Sequence, residues 1–74
     1  MQVGMLWLDD DKKRTMDEKV VRAIAYYRQK YGRSPELCLV NQKDLAAEKK
    51  IDKVQVQPAR AVLPHHFWLG MQAD

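Results

Sequence analysis

Cysteine is almost missing from this sequence of 74 residues, where Cys38 stands alone. One thiol cannot close an internal disulfide, and with only two histidines to join it no structural zinc site can be assembled. Glycine is scarce too, at three residues, and no Gly-rich phosphate loop appears. Long hydrophobic runs are absent: nothing approaches the roughly 18 consecutive apolar residues of a membrane-crossing helix. The N-terminus shows neither the basic region nor the long apolar stretch of a secretory signal. A cytoplasmic location away from membranes is therefore the expectation. Excess charge of one sign is lacking as well, since 13 Lys and Arg stand against 10 Asp and Glu for a net +3. The two halves share the charge evenly, so neither is a basic arm, and weak basicity permits nucleic-acid binding without implying it.

What is present is the composition of a folded globular chain, 46% hydrophobic and 31% charged. Residues 1–74 read as a single domain, with no repeat, low-complexity segment or interdomain linker. A chain this short buries only about 60% of its unfolded surface, so its stability is marginal.

Gly4-Met5-Leu6-Trp7-Leu8 is a short apolar run bounded by three aspartates, as expected of a buried strand. Thr15-Met16-Asp17-Glu18 fits a capping box, and the apolar positions Val20, Ile24, Tyr27 and Tyr31 that follow recur at helical spacing. Gly32 supplies a left-handed C-cap, with Arg28 and Lys30 in the last turn. Ser34-Pro35 stops the helix, and Leu37 to Val40 reads as a second strand. Lys43 to Lys50 is rich in helix formers and is expected to make a short second helix opened by Asn41 or Gln42. Val54-Gln55-Val56-Gln57 alternates as a half-exposed strand, which Pro58 ends or places on an edge. After a linker from Ala59 to Pro64, His66 to Met71 reads as a fourth strand, paired with the third in a hairpin. The expected fold is a small two-layer α/β (α+β) domain in the order β-α-β-(α)-β-β, one long helix packed on a small mixed sheet.

Alternation sends Met5 and Trp7 to one side of that sheet and Leu6 and Leu8 to the other, and Leu37 and Leu39 oppose Cys38 and Val40. Both faces are apolar, a pattern that belongs to strands covered on both sides. Either the second helix and the Ala59 to Pro64 segment cover the second face, or part of it is left for a partner. Met5, Trp7, Phe67 and Trp68 are the expected interface residues.

Asp9, Asp10 and Asp11 lie at the carboxyl end of the first strand, where α/β sheets place ligands, and clustered oxygens suit Mg²⁺. Over Leu6 to Asp11 the chain resembles the acidic pocket of response-regulator receiver domains. The resemblance goes no further, because the second strand ends in Asn41 and not in a phosphorylatable aspartate. A solvated loop neutralised by Lys12, Lys13 and Arg14 is the plainer account of the triplet. His65 and His66 are adjacent, so in an extended segment they point apart and cannot easily chelate one ion. Ser34 and Thr15 have turn and cap duties and Cys38 packs, which leaves no catalytic constellation and no implied cofactor.

Lys19, Arg22, Tyr26 and Lys30 share one helical stripe, with Arg33 beyond the cap, a set suited to phosphates and a stacked base. Arg60, His65, His66 and Trp68 combine polar heads with a ring in the same way. The leading expectation for function is a noncatalytic interaction module that homodimerises or docks on a larger protein partner. A nucleic-acid-binding domain using the basic helix stripe is the alternative, and a Mg²⁺-dependent site at the acidic triplet comes third.

Overall fold

A computed structural model describes residues 4–71, and shows one helix packed on a five-stranded mixed sheet. The elements in chain order are β1 (Gly4–Leu8), α1 (Met16–Tyr31), β2 (Leu37–Asn41), β3 (Lys49–Ile51), β4 (Val54–Ala59) and β5 (His66–Gly70). Their order across the sheet is β1-β5-β2-β4-β3. Strand β5 runs antiparallel to both β1 and β2, so those two are parallel to each other, and β4 is parallel to β2.

The helix forms where its signals are. The Thr15 hydroxyl accepts from the Glu18 amide at 3.2 Å while the Glu18 carboxylate accepts from the Thr15 amide at 3.0 Å. Those hydrogen bonds hold the Glu18 carboxyl below its ordinary pKa. Its contribution to stability is thus present above the unfolded value and disappears as pH falls through the lower folded one. Gly32 closes the helix at φ 73°, with its amide donating to the Arg28 carbonyl at 2.8 Å.

The expected second helix is replaced by a turn and a strand. Asn41 is buried at the end of β2, and its side-chain oxygen accepts from the Lys43 amide at 2.8 Å. This local turn competes with helix initiation, as Asn side chains do. With Leu45 and Ile51 alone to pack on the core, the segment gains more from pairing Lys49–Ile51 with β4. A two-residue turn, Asp52-Lys53, joins β3 to β4 with both φ angles positive, 49° and 67°. That is type I′ geometry, usually signalled by Asn-Gly or Asp-Gly, and a lysine in its second position hides it from a sequence reading. Lys53→Gly is expected to raise stability by about 0.5–1 kcal/mol by removing the left-handed strain, as read by chemical denaturation.

The expected hairpin of the last two strands is also replaced. β5 crosses past β2 and inserts between β1 and β2, where Phe67 and Leu69 are flanked by a strand on either side and fully buried under α1. Pro58 is accommodated by parity. The Gln55 amide donates to Glu36 of the segment leading into β2, so alternate residues Val54, Val56 and Pro58 turn their backbone groups outward. β3 pairs no further than Val56, and the donor that Pro58 lacks has no strand to serve.

One side of the sheet holds the core. Met5, Cys38, Val40, Val54, Val56, Phe67 and Leu69 pack against Val20, Ala23, Ile24 and Tyr27 of α1. Burial pushes the Cys38 thiol up to about 12. The unfolded chain ionises this thiol near its ordinary value of 9.0, so stability is expected to decline as pH rises from there towards about 12. At neutral pH, modification of Cys38 by a disulfide reagent should proceed only as fast as the protein opens, and a rate close to that of a free thiol would contradict this.

Candidate protein-interaction surface

With one helix to cover two apolar faces, the other face of the sheet is open. Leu6 and Leu8 of β1 are 64% and 58% exposed. In register with them stand Trp68 and His66 of β5, and Leu39 of β2 pairs with Trp68 from the other side. Leu6, Leu37, Leu39, Trp68 and Met71 form the floor and walls of a shallow groove of about 500 Å³. The crossover from β4 to β5 closes one end of it. There Val62 is buried, Leu63 is 66% exposed, and the Val62 carbonyl is held by the Asn41 side-chain amide at 2.7 Å. Across β4 the same face turns polar, since Gln55 and Gln57 share the parity of Leu37 and Leu39.

The Trp68 ring has a built seat. A Cβ placed on Gly4 or on Gly70 would meet ring atoms of Trp68 at 2.4 Å and 2.5 Å, so the indole lies across the bare backbone of both strands. Glycine at these two positions is therefore required by the close approach of the ring.

The structure separates the expected interface residues. Met5 and Phe67 lie in the core beneath the helix, at 8% and 1% exposure, and are closed to a partner. Trp7 is half-buried on that same side, its ring 4.3 Å from that of Tyr26 by centroids, and its indole nitrogen is buried with no hydrogen-bond partner. Trp68 alone of the four faces the open groove. The physical reason is parity: Met5, Trp7 and Phe67 share the strand phase that the helix covers, whereas Leu6, Leu37 and Leu39, which do line the open face, share the phase of Trp68. The alternation was legible, but not which phase the helix would choose.

The basic stripe is brought together on one flank of α1. Arg22, Tyr26, Lys30 and Arg33 are exposed and Lys19 is half-buried. The Tyr26–Trp7 contact places this flank on the β1 side, and the ion pair of Asp17 with Lys49 at 2.7 Å places the opposite flank on the β3 side. One face of the Tyr26 ring is occupied by Trp7, and Lys30 sits 5.3 Å from the Tyr31 ring centroid.

The acidic triplet is folded into its own loop. An Asp9 carboxylate oxygen accepts from the Asp11 amide at 3.1 Å, and an Asp11 oxygen accepts from the Lys13 amide at 2.8 Å while its other oxygen lies 3.6 Å from Arg14 Nε. Among the described residues no group of three or more His, Cys, Asp or Glu is placed to hold a metal ion. His65 takes a left-handed φ of 65°, and its amide donates to an Asp44 carboxylate oxygen at 2.9 Å. His66 Nδ1 lies 2.9 Å from the Pro64 carbonyl oxygen. Arg60 is exposed on the crossover, so of the C-terminal polar set only His66 and Trp68 meet at the groove. Among the described residues no helix is long and apolar enough to cross a membrane. Comparison with protein-family models, curated proteins and solved structures finds no match to this chain.

Proposed function

We propose that this protein is a noncatalytic interaction module, which self-associates or docks on a larger protein through the apolar surface of its sheet, in the cytoplasm. The observation that carries this reading is the open groove around Trp68, with Leu6 and Leu63 about two-thirds exposed beside it. Covering such side chains contributes about 25 cal/mol per Å² of apolar area removed from water, and a lasting interface needs about 800 Å² from each partner. The groove is apolar and borders the polar Gln55 and Gln57 of β4, the pattern of an interaction surface.

The test is binding of the apolar dye anilinonaphthalene sulfonate to the native protein, alongside sedimentation at micromolar concentration. Wild type should either bind the dye at the groove, with Leu39→Lys lowering the signal several-fold, or exclude it by self-associating through that face. A native monomer that binds no dye overturns the reading.

A second reading, nucleic-acid binding, is favoured by the gathering of Lys19, Arg22 and Lys30 with exposed Tyr26 on one helix flank. It requires steeply salt-dependent association with a mixed oligonucleotide, weakened by Arg22→Glu. No binding at low salt rejects it.

A further inference from the structure

We infer that β1 is the seam of a two-fold dimer, in which a second copy of this chain adds its own β1 antiparallel to the first and joins two five-stranded sheets into one. This rests on the reading of the protein as an interaction module, but not on the open face being its docking surface.

The two edges of the sheet are unlike. The β3 edge is guarded by the means proteins use against edge pairing: it is three residues long, carries Lys49 and Lys50, and is followed along β4 by Pro58. The β1 edge has none of these, since Gly-Met-Leu-Trp-Leu holds no charge and no proline. Its outward hydrogen-bonding groups are identified by parity. The Asp9 amide donates to the His65 carbonyl, so Asp9, Trp7 and Met5 turn towards β5 while Gly4, Leu6 and Leu8 present their N–H and C=O groups to the outside.

That set is self-complementary about Leu6. A two-fold axis there sets Leu6 against the partner's Leu6 and Gly4 against the partner's Leu8, and each facing pair exchanges two N–H···O=C bonds. The side chains agree with this register. Leu6 and Leu8, more than half exposed, point to the open face and meet across the seam, and the partner's Leu8 falls opposite Gly4, beside the indole of Trp68.

Charge agrees as well. Because β1 and β2 are parallel and α1 returns between them, the helix ends at the end of the sheet where β1 begins, since Gly4 is aligned through Gly70 with Leu37 at the start of β2. Its last turn carries Lys30, on the β1 flank, and Arg33 follows the cap. The two-fold axis exchanges the ends of β1 and brings the partner's Asp9 and Asp10, which precede the Asp11–Arg14 ion pair, to this basic end, and does the same in reverse. Lys30 and Arg33 of one copy thus face aspartates of the other across the seam.

The experiment is sedimentation equilibrium of wild type and variants at micromolar concentration, with circular dichroism to establish that each is folded. Wild type should be a dimer. Leu6→Lys, at an exposed site, should weaken association about ten-fold or more by opposing two charges at the axis. Lys30→Glu with Arg33→Glu should also weaken it, and adding Asp9→Lys and Asp10→Lys should restore it. Leu39→Lys, on the open face away from the seam, should leave the dimer intact. A monomeric wild type overturns the proposal and leaves dye binding at the open face to stand or fall separately. A dimer lost in Leu39→Lys, whatever Leu6→Lys does, overturns it in favour of face-to-face pairing, because Leu6 borders the open groove as well as the seam.

Discussion

Phe67→Ala is expected to cost about 3–5 kcal/mol, enough to leave much of the protein unfolded at 37 °C. Phe67 heads the fully buried side chains by volume and sits on the central strand β5, facing α1. A domain of this size has about 0.05–0.15 kcal/mol of stability per residue, so the loss is comparable with the whole. Its neighbour supplies the control. Trp68→Ala removes a larger ring from the opposite side of the same strand, where the indole lies on Gly4 and Gly70 with its groove side open, and should cost about 1–2 kcal/mol. Thermal melts of the two variants should differ by about 15 °C at the middle of these ranges, at roughly 4–8 °C per kcal/mol for a domain this small. Similar melting temperatures would contradict the assignment of the two faces.

Asn41→Ala is expected to cost about 2–3 kcal/mol. Asn41, 9% exposed, ties three parts of the chain together: the end of β2, the turn at Lys43 and the crossover at Val62. Removing its side chain leaves the Val62 carbonyl and the Lys43 amide to find other partners, each at about 1 kcal/mol or more. Asn41→Asp separates the two bonds. An ionised carboxylate still accepts from the Lys43 amide but faces the Val62 carbonyl with no hydrogen to donate. That variant should be at least as unstable as Asn41→Ala at neutral pH and should recover as acid protonates the carboxyl, which then donates. Denaturant melts at neutral and mildly acidic pH give the comparison, and a variant indifferent to pH would show that the bond to Val62 carries little.

Much of this structure was legible in local sequence. The capping box at Thr15, the apolar stripe from Val20 to Tyr31 and the glycine stop at Gly32 are signals contained within a few residues of where they act, and α1 obeys all of them. The first strand, bounded by aspartates, was equally local. Residues 43–50 do not form the helix their propensity favours, because the Asn41 turn competes with it and β4 offers Lys49–Ile51 a pairing partner across an Asp52-Lys53 turn of uncommon composition.

By itself, then, the sequence determined that both faces of β1 and β2 are apolar and that one well-capped helix is available to cover them. Those are matters of alternation and spacing along the chain. Only the tertiary structure decided which phase of the alternation the helix takes, hence that Phe67 is core and Trp68 is surface. It also placed β5 in the middle of the sheet, which leaves β1 as an uncharged edge. Strand order and face choice depend on contacts between segments far apart in sequence, here β5 with β1 and β2, and no local propensity encodes them.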